Sequence, residues 1–281
     1  MDNRLNVTYI TFGGHVEVQK YGCLYFVIMF TVFMLVMSSN ATIVCIIIIH
    51  KNLHEPMYIF IAALLINSVL FSTVIYPKLL IDFLSDEQII SYPACLLQWF
   101  LYYWLGGSDF VLLSIMAYDR YVSICNPLQY TTIMQKTTVN NFLLSAWILP
   151  ACLISVSLLL NAKEEICQFH LKGILCNSTV HALHCVRSKI LNIYGVRGRA
   201  AQTCLPNLMV LINFSCLIAY DLILPRLELD SPKIVRLIMT MQFVIYHPVF
   251  NPIIYGLKMR TINDHLKKLF CRMVWRLQLL N

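Results

Sequence analysis

Between residues 163 and 199 the chain gathers Cys167, His170, Cys176, His181, His184 and Cys185. Thiols and imidazoles are the groups that hold zinc, and thiols alone can close disulfides. The spacing contains no paired CxxC unit of the kind structural zinc sites use. The stretch reads as an extracellular loop between apolar blocks, which is oxidising territory, so disulfides are the expected chemistry and no metal or other cofactor is expected. Cys95, at the start of the third apolar block, is the fourth partner; four thiols allow three pairings, and sequence leaves them open. Cys45, Cys152, Cys204 and Cys216 fall inside apolar blocks and read as small packing residues.

A second feature is a carboxylate in an otherwise uncharged block. Asp109 is the only charge between Tyr92 and Tyr118, and an ionisable group in hydrocarbon is costly enough that it must face the bundle interior or a watery cavity. Tyr102, Gly106, Asp109, Leu113, Met116 and Arg120 follow steps of 4, 3, 4, 3 and 4, which places them on one helix face. Gly106 and Gly107 after Tyr102 and Tyr103 would leave a notch beside aromatic walls, suited to a small apolar ligand. The alternative is close helix packing by small residues. Asn40, Asn67, Ser68, Asn213 and Asn251 are further polar groups at membrane depth, with interhelical hydrogen bonds as their default role and a water or sodium network as the sharper one.

These residues need apolar helices to position them. The chain of 281 residues is 59% hydrophobic and 12% charged, about half the charge of a soluble domain, and its apolar residues cluster in blocks near the ~20 residues that cross a bilayer. Six blocks qualify: 24–49, 57–77, 92–118, 137–162, 200–220 and 237–257. The fold class expected is all-α, a polytopic transmembrane bundle over 24–257, with an extracellular N-terminus over 1–23 and a cytoplasmic tail over 258–281. The first twenty residues lack the basic start and apolar core of a cleaved signal, so the first span is expected to act as signal-anchor.

The net charge of +7 does not mark a nucleic-acid partner, because the basic residues form no surface interleaved with aromatics. Lys258, Arg260, Lys267, Lys268, Arg272 and Arg276 collect after the last span against Asp264 alone, which places the tail in the cytoplasm. Ile262, Leu266 and Leu269 share a helical stripe, as in a helix lying on membrane lipid, and Cys271 beside it is equally readable as a palmitoylation site or an unmodified thiol. Asn6-Val7-Thr8 is a glycosylation sequon in the N-terminal segment.

The run Met116-Ala117-Tyr118-Asp119-Arg120-Tyr121-Val122-Ser123-Ile124-Cys125-Asn126-Pro127-Leu128-Gln129-Tyr130 closely resembles the signature of vertebrate odorant receptors, with Ser123 in place of Ala. Leu53-His54-Glu55-Pro56-Met57-Tyr58, Ala200-Ala201-Gln202-Thr203-Cys204 and His247-Pro248-Val249-Phe250-Asn251-Pro252-Ile253-Ile254-Tyr255 match further motifs in the family's order, in wording most like the fish-type branch. The resemblance implies a rhodopsin-like G-protein-coupled receptor at the plasma membrane, not an enzyme, that binds a small odorant within the bundle. It implies a heterotrimeric G protein of the stimulatory, olfactory type as partner. Asp119, Arg120 and Tyr121 would form one switch, with Arg120 held by Asp119 until activation, and Asn251, Pro252 and Tyr255 the second. It implies the disulfides Cys95–Cys176 and Cys167–Cys185. Tyr102, Tyr103, Gly106 and Gly107, with Tyr220 on the same helix face as Asn213, are the candidate ligand wall.

One departure is large. The family has seven spans, yet from Lys163 to Arg199 the longest uncharged stretches are fourteen polar-rich residues and the seven residues 190–196. Seven helical residues rise about 10 Å against a hydrocarbon core of about 30 Å. Most of the fifth helix is therefore expected to be missing, and six spans would carry the basic tail to the side of the cysteine loop. Asn67-Ser68 stands where many rhodopsin-like receptors carry Asp, which argues against a sodium site around Asp109, and Asn207 stands where odorant receptors usually carry His. The competing readings are a non-signalling truncated receptor and a six-helix transporter or channel, which would be expected to show charged pore residues or paired half-helices.

Overall fold

The computed structural model describes residues 9–161, 166–177, 180, 183 and 233–258. Strand β1 (Tyr9–Phe12) is followed by helices α1 (Val18–Ile49) and α2 (Pro56–Leu84), strand β2 (Ile89–Ser91), helix α3 (Tyr92–Cys125), a short α4 (Tyr130–Ile133) and a long α5 (Lys136–Asn161). Strand β3 (His170–Leu171) and helix α6 (Lys233–Lys258) follow, and short 3-10 turns at Lys51–Leu53 and Pro127–Gln129 complete the described elements. The expected span 200–220, with Tyr220, lies outside the described residues, as do Asn6, Cys185 and the tail beyond Lys258.

Helices α1, α2, α3 and α5 are each long and apolar enough to cross a membrane. Their ends are set by local chemistry. At the turn between α1 and α2, Leu53 is fully buried, and His54 Nε2 donates to the Ile47 carbonyl at 3.1 Å, satisfying a C-terminal helix group. Pro56 then opens α2 behind Glu55 in extended backbone (φ −77°, ψ 154°), where its missing N–H costs nothing. Pro93 opens α3 in the same way.

Helix α2 runs seven residues past the charge-free block that ends at Pro77. The extension carries Lys78 and Asp82, one turn apart and ion-paired, so the two charges that ended the apolar block neutralise each other on the helix. Helix α3 likewise continues past Tyr118 to Cys125. Helix α2 is the hub, packing against α1, α3, α5 and α6, while α3 packs on α5 and α1 on α6.

One end of the bundle is capped by a three-stranded sheet in the order β2-β1-β3. Strand β1 pairs antiparallel with β2, Ile10 opposite Ile90, and parallel with β3, Thr11 opposite His170. The approach of the loop at residues 170–173 requires glycine beneath it: a Cβ on Gly14 would stand 2.6 Å from the Gly173 carbonyl carbon. Ile10, Phe12, Ile90, Cys95, Trp99, Leu171 and Cys176 form the core of this cap. The all-α bundle carries a small β element that strands of two to four residues with remote partners do not announce in sequence.

Candidate functional site

At the bundle end opposite the sheet, the signature run folds into a closed electrostatic latch. Asp119 is fully buried, and Arg120 donates to its Oδ2 from Nη2 at 2.7 Å and from Nε at 3.1 Å. Tyr130, ten residues beyond Arg120, donates its hydroxyl to Asp119 Oδ1 at 2.8 Å. Both carboxylate oxygens are thus occupied, and charge-assisted bonds of this kind are about twice as strong as neutral ones. Burial, together with the hydrogen bond to Asp119 and its charge, pushes the Tyr130 phenol well above its ordinary range, so it remains a donor. Tyr121 points away: it is more than half exposed and stacks on Tyr118.

At mid-bundle, α2 carries two polar contacts on different faces. Asn67 Nδ2 donates to Asp109 Oδ1 at 2.9 Å and to the Leu105 carbonyl at 2.8 Å, while its Oδ1 accepts from Trp147 Nε1 at 3.0 Å. This one amide therefore ties α2 to α3 and α5, and Asp109 faces the interior as membrane depth requires. On the other face, Asn251 Nδ2 of α6 donates to Ser68 Oγ at 3.1 Å.

Asn40 Nδ2 of α1 donates to the Pro248 carbonyl at 3.0 Å. That carbonyl is the helical acceptor that residue 252 would use, and Pro252 has no N–H to offer. The amide of α1 thereby replaces the bond that the proline removes. Pro252 and Asn251 are buried; the Tyr255 side chain lies outside the described ones.

Toward the sheet, Tyr102 is buried and packs at 5.0 Å on Tyr103 and at 5.6 Å on Phe71 of α2. Ile174 and Leu175 from the cysteine loop and Val244 from α6 close over the same cluster. The loop is tied there by the disulfide Cys95–Cys176, Cα atoms 5.4 Å apart, and by Cys176 N–H donating to Gln98 Oε1 at 3.2 Å. Cys167 is also held in a disulfide, and His170 Nδ1 lies 3.0 Å from Thr11 Oγ1.

The glycine pair divides its roles. Gly107 turns to α5, where a Cβ would meet the Pro150 side chain at 3.0 Å; this is close helix packing rather than a notch. Gly106 is buried on the Tyr102 face. The sequence reading missed Tyr130 as a latch residue and Trp147 as a partner of Asn67; the one lay in the quoted run and the other was a lone tryptophan in an apolar block.

Comparison with known proteins adds the following. A family model described as "Olfactory receptor" matches residues 27–219 and 196–273, two segments that overlap in this chain. The chain is similar to Olfactory receptor 13C9 of Homo sapiens, 29% identical with 91% of this chain and 93% of that protein aligned. It is also similar to human Olfactory receptor 6K3, 29% identical over 96% of this chain and 91% of that protein. Human Olfactory receptor 2T6 is 30% identical over 88% and 91% respectively.

Proposed function

We propose, from the premise that the chain belongs to the olfactory receptor family, that this multi-pass membrane protein detects small odorants in the cluster beneath the disulfide-tied loop. Asp119 and Arg120 are the switch toward a heterotrimeric G protein of the stimulatory class. The observation that carries the reading is the Asp119–Arg120–Tyr130 latch, which holds a cation at the end of the bundle farthest from the disulfide. Cys95 and Arg120 are twenty-five helical residues apart, about 38 Å along α3, so ligand wall and latch lie toward opposite ends of one helix.

The disulfide supports an orientation. Disulfides persist in oxidising compartments, and β1 of the N-terminal segment is woven into the same cap as Cys176. The N-terminus is therefore outside and Arg120 faces the cytoplasm.

The lack of any span-length uncharged stretch between Lys163 and Arg199 supports the loss of most of the fifth helix between residues 190 and 200. Helix ends at that place help frame the G-protein cavity in the family the chain resembles, so the chain as written couples weakly. Nucleotide exchange on purified G proteins tests both statements. Odorant-stimulated exchange on the stimulatory class, rising when about 35 residues, roughly one span and a loop, are restored, is the expected result. Exchange confined to another G-protein class overturns the partner assignment.

A further inference from the structure

Tyr76 of α2 is fully buried, and its hydroxyl has no hydrogen-bond partner among the described residues. Buried tyrosine hydroxyls usually find partners, so an orphan in this position calls for a cause. Its surroundings supply one. The ring stacks on Phe33 of α1 at 5.4 Å, and the residue belongs to the same apolar cluster as Phe71, Tyr102 and Val244, under Leu175 of the tied loop.

Along α2, Ser68, Ser72 and Tyr76 recur at intervals of four, on one helix face, and all are buried. Ser72 donates to the Ser68 carbonyl at 2.8 Å, and Ser68 Oγ receives Asn251. The orphan hydroxyl is thus the end of a polar stripe that reaches the α6 switch in two helical turns, about 12 Å. Lys78, the nearest cation in sequence, is committed to Asp82, so the position suits an uncharged acceptor.

We propose that Tyr76 is the hydrogen-bond donor of the odorant site, given the receptor reading above, and that it selects uncharged ligands carrying a carbonyl oxygen on an apolar chain. The chain lies against Phe33, Phe71 and Tyr102, and the carbonyl oxygen accepts from the Tyr76 hydroxyl. The tyrosine would thereby gain on binding the partner it lacks, while a hydrocarbon of equal length leaves it unpaired.

The test uses the full chain in lipid nanodiscs, with methyl hexyl ketone and octane as probes of matched length. Tyr76→Phe keeps the ring and removes the donor. Expected are an unchanged or higher unfolding temperature, about tenfold weaker ketone binding and unaltered octane binding. The carbonyl stretch of bound ketone, lowered by hydrogen bonding in the wild type, should return to its free position in Y76F. An unshifted stretch in the wild type overturns the assignment even if Y76F fails to fold, as does equal weakening of both probes. Binding of other odorants but neither probe also overturns it and leaves the receptor reading standing. Binding of no odorant at all overturns both.

Discussion

The side-chain amide of Asn40 stands 3.0 Å from the Pro248 carbonyl, taking the place of the N–H that Pro252 lacks one turn further along α6. A helix weakened by proline thus receives a bond from a neighbour, and a change in the α1–α6 contact is a change in how freely α6 can bend. Asn251, next to that proline, is anchored on Ser68 of α2, so α6 is pinned on both sides of its weak point.

This arrangement makes a double-mutant test available. Asn40→Leu leaves the Pro248 carbonyl buried without its partner and is expected to cost about 1–3 kcal/mol, read as a lower unfolding temperature. In a Pro252→Ala background the restored N–H can bond that carbonyl, so the cost of Asn40→Leu should shrink. Equal costs in both backgrounds would mean that Asn40 acts elsewhere.

Tyr130→Phe removes the donor to Asp119 Oδ1 and leaves Arg120 in place. A hydrogen bond to a charged group contributes about 1.5–3 kcal/mol, so the latch should open more often, and basal nucleotide exchange should rise several-fold in the chain with its fifth span restored. Unchanged basal exchange at equal surface expression counts against a role for the tyrosine in the latch.

Adjacent glycines should respond differently to the same substitution. Gly107→Leu collides with Pro150, and overpacking of this kind costs typically ~1–3 kcal/mol, so folded yield should fall. Gly106→Leu, on the Tyr102 face, should preserve surface expression while odorant responses are lost. If both variants lose only expression, the glycines serve packing alone.

The sheet end has its own pH dependence. His15 sits edge-on between Phe12 and Phe83, and burial, reinforced by the charge of Lys78, lowers its pKa to about 4. In the unfolded chain the ring titrates near ~6.5. As pH falls below that value the unfolded state takes the proton first, so the stability of the cap should decline from about pH 6.5 to about pH 4 and then level off. Hydrogen exchange at Tyr9–Phe12 measures this, and His15→Phe should flatten the profile; an unaltered profile would place the dependence on another group.

Much of this architecture is legible in the residues. Apolar blocks of span length, uncharged but for Asp109, announce α1, α2, α3 and α5, and the 4–3 spacing from Tyr102 to Arg120 fixes the inward face of α3, because both signals depend only on local composition and periodicity. The α2 extension is not legible by that rule, since Lys78 and Asp82 look like a span end until their pairing across one turn is seen. Asn40 could be read as polar at membrane depth, but its partner is a carbonyl 208 positions away, and no spacing within α1 points there. The sheet escapes for the same reason: its two- to four-residue strands are created by partners from three separate segments.

Cyclic AMP in cells exposed to an odorant panel tests the central claim most directly, comparing the chain as written, the chain with the fifth span restored, and the restored chain carrying Arg120→Ala. The account expects an odorant-dependent rise in the restored chain, little or none in the chain as written, and none in the Arg120→Ala variant. A rise that survives Arg120→Ala, or the absence of any rise from a restored chain that reaches the cell surface, would contradict it.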